Sequence, residues 1–132
     1  MTVNKLVLGY YAILFIAFGF IGLVQPEFIA DLVHLSFQSE LGYLDFVAMY
    51  GGLFLGNGVF MLYCLKENIK LGLVNVLCTM GFMLAARSFQ YVSIGEVDLV
   101  QIIYFSGEAF TVMLISLLLY VDNSKNENKD ET

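Results

Sequence analysis

Leu6–Val24 reads LVLGYYAILFIAFGFIGLV, nineteen consecutive residues without a charge. At a rise of about 1.5 Å per residue, a helix of that length crosses the roughly 30 Å hydrocarbon core of a bilayer. Lys5 precedes the run in the manner of a secretory leader. The apolar stretch is longer than such leaders carry, however, and no A-x-A-like cleavage site follows, so it reads as a retained span.

Three more runs of the same kind follow. They are Leu44–Leu65 (LDFVAMYGGLFLGNGVFMLYCL), about Leu71–Tyr91 and about Leu99–Val121. The composition agrees: of 132 residues, 59% are hydrophobic and only 14% charged, with a mean hydropathy of +0.79. Soluble domains carry nearer ~25% charged residues. The expected fold is all-α, a four-transmembrane-helix bundle forming a single domain over 1–121. The last residues, 122–132 (DNSKNENKDET), hold nothing apolar and read as a disordered cytoplasmic tail.

Charge placement gives an orientation. The lysines are Lys5, Lys66, Lys70, Lys125 and Lys129, all on one side of a four-span hairpin. Glu27, Asp31, Glu40, Asp45, Glu96 and Asp98 occupy the other. The positive-inside rule then puts both termini and the short central loop in the cytoplasm. Tyr43 and Tyr91 fit the outer interface, Tyr63 and Tyr120 the inner.

Between spans one and two lies PEFIADLVHLSFQ, Pro26–Gln38. Proline suits a first helical turn. Glu27, Asp31, His34 and Gln38 recur at helical spacing, with apolar residues around them, as in a short amphipathic interfacial helix. Glu27, Asp31 and His34 could in principle ligate a metal, but a solvated polar face is the better explanation. No metal or cofactor is expected.

The buried-looking polar residues are the chemically unusual feature. Arg87 is the chain's one arginine, about four residues inside span three, and Glu108 lies about nine residues inside span four. Measured from the same outer surface, these depths are roughly 6–8 Å and 13–15 Å. Charges in hydrocarbon face a bundle interior or a wet cavity. Adjacent antiparallel spans with opposite charges at compatible depths predict an ion pair. Gln101, Tyr104, Glu108 and Thr111 form one stripe on span four, and Asn75, Thr79, Arg87 and Gln90 share an arc on span three. Tyr50 and Asn57 share a face of span two. Convergence of these stripes predicts an outward-opening polar pocket of Tyr50, Arg87, Tyr104 and Glu108, with Asn57 and Thr111 beneath. Two readings stand side by side: a lock that satisfies itself, or a site for an anionic headgroup, a small polar ligand or a proton.

Span two also carries Ala48, Gly52 and Gly56 at small-xxx-small spacing, a ridge that lets another helix approach closely, from the same bundle or a second copy. Cys64 and Cys78 read as small hydrophobes in packed helices. Six basic residues form no nucleic-acid patch. The single histidine excludes bis-histidine haem within one chain. No P-loop, zinc or Rossmann signature is present, and no nucleophile–base pair is visible.

Taken together, LVQPEFIADLV, AMYGGLFLGNGVF, the arginine of AARSF and the glutamate of GEAF resemble a widespread bacterial four-helix integral membrane family catalogued only as a domain of unknown function. The resemblance covers Leu6 to Tyr120 and implies fold and location. A looser analogy runs to other small four-helix bundles of the bacterial envelope, some linked to redox complexes. The expected role is a non-catalytic accessory or assembly subunit of a membrane complex, in contact with protein partners or with a second copy. The alternative is binding or transport of a lipid, quinone or small amphiphile.

Overall fold

Unbroken apolar sequence at the N-terminus forms helix α1, Thr2–Val24. It ends because Gln25 leaves helical geometry, at φ −137° and ψ 66°, and Pro26 takes the first position of α2, Pro26–Leu32. A long helix α3, Glu40–Glu67, follows, then α4, Ile69–Ile94, and α5, Leu99–Asp130. A computed structural model describes residues 2–94 and 98–130. Among these the protein is all-helical, with five helices, of which α1, α3, α4 and α5 are long and apolar enough to cross a membrane. Glu96, expected on the outer side, lies outside the described residues.

The chain divides into two compact units, Met1–Ile69 and Lys70–Thr132. In the first, α1 and α3 run antiparallel. The face that α1 buries is a single stripe of Leu8, Tyr11, Ala12, Phe15, Gly19 and Gly22. Glycine is required at the crossing. A Cβ on Gly19 would collide with the backbone nitrogen of Leu55, and one on Gly58 would stand 2.8 Å from that of Ile16. A Cβ on Gly51 would come as close to the Leu23 side chain, and one on Gly22 to the Tyr50 carbonyl. Without a hydrophobic drive between helices in lipid, such backbone-close van der Waals contact is what holds them together.

The small residues of α3 divide between two faces. Gly51 and Gly58 face α1, whereas a Cβ on Gly52 or Gly56 would meet nothing within 4 Å, and Ala48 is exposed with them. Val47–Leu53 is a π-helical stretch within α3. Each i→i+5 bond encloses one residue more than an α-turn. The face is therefore shifted relative to an uninterrupted 3.6-residue pattern.

Helix α2 is shorter than the expected Pro26–Gln38. It closes at Leu32 with the Leu35 N–H donating to the Ala30 carbonyl at 2.8 Å and the His34 N–H to that of Asp31 at 3.2 Å. His34 supplies the left-handed residue of this Schellman cap, at φ 57°. It therefore leaves the Glu27–Asp31 stripe. Among the described residues, no group of three or more His, Cys, Asp or Glu side chains could hold a metal ion. Pro26, Ile29 and Ala30 are buried, while Phe28, Leu32 and Leu35 are exposed. The helix thus keeps one face for its own unit and a second apolar face outward.

In the second unit, α4 and α5 form an antiparallel hairpin. The Lys70 Nζ donates to Asn123 Oδ1 at 2.7 Å near one end, and the Tyr91 hydroxyl to the Gln101 carbonyl at 2.7 Å near the other. Leu73, Val76 and Ile115 are buried. Asp98 caps α5 by accepting the Val100 N–H at 3.3 Å. Helix α5 is continuous as far as Asp130. Once a helix exists, each added residue gains a hydrogen bond without a new nucleation cost.

Candidate functional site

The hairpin of α4 and α5 builds the polar cluster. Arg87 and Tyr91 stand one turn apart on α4, and Gln101, Tyr104, Glu108 and Thr111 form the stripe on α5. The Arg87 Nη2 meets Glu108 Oε1 at 3.0 Å, and its Nε lies 3.2 Å from Oε2 and 3.3 Å from Oε1. This is a two-pronged guanidinium–carboxylate pair, the strong form of ionic hydrogen bonding. The Nη1 donates to Gln101 Oε1. The Arg87 guanidinium carbon also lies 5.5 Å from the centre of the Tyr104 ring, within cation–π range.

Burial separates the two charges. The Glu108 side chain is 8% exposed and that of Arg87 is 22% exposed. The carboxylate is therefore inside, and the guanidinium reaches it from a more open position. Thr111, one turn farther along α5, is 5% exposed and donates from Oγ1 to the Gly107 carbonyl at 2.7 Å. Among the described residues, no buried side-chain nitrogen or oxygen lacks a hydrogen-bond partner.

Of the six expected pocket residues, the structure brings together Arg87, Tyr104 and Glu108, with Thr111 on the same stripe. Tyr50 and Asn57 belong to the first unit. There the Tyr50 ring stacks on Phe46, with centroids 4.4 Å apart and planes at 18°, and lies nearly parallel to Phe54 at 5.9 Å. Phe54 in turn packs against Phe15 and Phe18 of α1. Tyr50 is thus a member of an aromatic column.

Two residues join the cluster that the pocket reading did not include. Gln101 accepts from Arg87, and its position seven residues before Glu108 on one stripe was the available signal. Tyr91 holds the Gln101 backbone and packs against Phe105 at 5.5 Å. Its place four residues after Arg87 put it on the same face.

Compared with family models, with curated proteins and with solved structures, the chain matches none.

Proposed function

We propose that the protein is a non-catalytic accessory or assembly subunit of a bacterial inner-membrane complex, with both termini in the cytoplasm. The resemblance to the four-helix integral membrane family and the one-sided lysines support the location. The observation that carries the role is the division of small residues on α3. Gly51 and Gly58 are occupied by α1, while Ala48, Gly52 and Gly56 form an exposed stripe. A stripe of this kind suits close approach by a further helix, from a partner subunit or a second copy. The Arg87–Glu108 pair then acts as a clamp that keeps the α4–α5 hairpin rigid.

The test is native gel electrophoresis of the full chain from mildly solubilised membranes. The parent is expected in an assembly larger than the monomer, and Gly52→Leu with Gly56→Leu to run as a folded monomer. A parent that runs as a monomer overturns the proposal.

One observation favours a second reading, in which the Arg87–Glu108 cluster binds a lipid, quinone or small amphiphile. The guanidinium is partly exposed and flanked by the Tyr104 ring, an arrangement suited to a planar oxyanion. Lipid extracted with the parent and absent from the Arg87→Met, Glu108→Leu double variant supports that reading. Identical extracts from both overturn it.

A further inference from the structure

The connection into α3 encloses an open cleft of about 530 Å³, lined by Phe37, Gln38, Ser39, Glu40, Tyr43 and Leu44. Its walls are set by the start of the helix. Ser39 is extended, at φ −156° and ψ 160°, and its Oγ accepts the Gly42 N–H at 3.1 Å. That cap fixes the first turn, and Glu40, Tyr43 and Leu44 then share a face at i, i+3 and i+4. Phe37 reaches across to Tyr43, ring centroids 5.1 Å apart and planes at 73°. Behind them, Phe37 meets buried Phe46 in the same geometry, at 5.1 Å and 73°.

Two near-perpendicular rings backed by a third, with a carboxylate at the rim, form a surface complementary to a cation. Aromatic faces carry negative potential and recognise alkylammonium groups. No lysine or arginine is among the lining residues. The volume falls within the range of small-molecule sites, far more than a bare ammonium ion fills. Glu40 also opens the long apolar helix Glu40–Glu67, which places the cleft at the level of lipid headgroups if that helix spans a bilayer.

We propose that this cleft binds the alkylammonium headgroup of a zwitterionic phospholipid, with Phe37 and Tyr43 contacting the ammonium group and Glu40 supplying the countercharge. The site is separate from the Arg87–Glu108 cluster and from the exposed glycine stripe, and it stands or falls without them.

The experiment follows the backbone amides of Gly42 and Tyr43 by NMR, in the full chain held in neutral detergent micelles. Soluble short-chain phosphatidylethanolamine, phosphatidylglycerol of the same chain length and ethylammonium chloride are titrated separately. Saturable shifts with phosphatidylethanolamine are expected, at least tenfold tighter than with phosphatidylglycerol and tighter than with ethylammonium. Glu40→Gln and Tyr43→Leu should each weaken phosphatidylethanolamine binding about threefold or more. Glu40 is exposed and the glutamine is isosteric, so that variant decides the matter even if Tyr43→Leu folds poorly. Equal affinity for the two lipids, or unchanged affinity in Glu40→Gln, overturns the proposal. Ethylammonium binding as tightly as the lipid assigns the cleft to free ammonium ions and overturns the lipid source.

Discussion

Arg87 and Glu108, twenty-one residues apart in the chain, close a two-pronged ion pair at 3.0 Å between antiparallel helices. Its shielded member is the carboxylate. Removing either partner leaves the other charge uncompensated, which costs about 3–5 kcal/mol for a buried pair. Arg87→Ala and Glu108→Ala are each expected to lower thermal stability in detergent sharply. Arg87→Met combined with Glu108→Leu should recover most of that loss. Losses that simply add in a double-mutant cycle would show that the two residues are uncoupled.

The glycines of α3 divide into two classes with opposite expected behaviour. Gly58→Ala drives a Cβ against the Ile16 backbone, so a fall in the yield of folded protein is expected. Gly52→Ala meets open space and gains helix propensity, up to about 1 kcal/mol. Comparing unfolding midpoints of the two variants in the same detergent checks this. Equal destabilisation would place Gly52 against a neighbour.

His34 occupies left-handed backbone at the end of α2. A β-branched residue tolerates that geometry poorly, at a cost of about 1–2 kcal/mol. His34→Val is expected to loosen the connection, seen as faster amide exchange at Leu35, whose N–H closes the cap. His34→Asn should leave that exchange rate close to the parent's.

Tyr91 ties α4 to α5 through one hydroxyl. Tyr91→Phe keeps the ring against Phe105 and removes the bond to the Gln101 carbonyl. A loss of about 1 kcal/mol in unfolding free energy is expected, the ordinary net worth of one such bond. A loss as large as that of Arg87→Ala would mean that Tyr91 helps hold the ion pair in place.

Orientation has its own test. Single cysteines introduced at Gln38 and at Asn68 in a Cys64→Ala, Cys78→Ala background should differ in whole cells. An impermeant maleimide is expected to label the first and spare the second. The reverse pattern would invert the proposed topology.

The spans were legible because nineteen uncharged residues such as Leu6–Val24 have few other stable solutions. The ion pair was legible because depth and stripe are both linear functions of residue number. Legibility failed where tertiary packing changed that relation. Gly51, one of the glycines that meet α1, lies in a π-helical stretch that no local signal at Val47–Leu53 announces. The end of α2 is set by a histidine in a conformation that usually calls for glycine, so it carries no sequence mark.

The π-helical stretch Val47–Leu53 also bears on how this gene can change length. It holds about one residue more than the same rise of α-helix needs. Loss of a single codon at Gly51 or Gly52 can be absorbed by reversion to α-geometry, leaving the remaining glycine to face Gly22. The same loss within α1, which has no such reserve, would rotate every later side chain of the helix by about 100°. Adjacent glycines at this point make α3 the long helix of its unit that can shorten by one residue without surrendering its packed face.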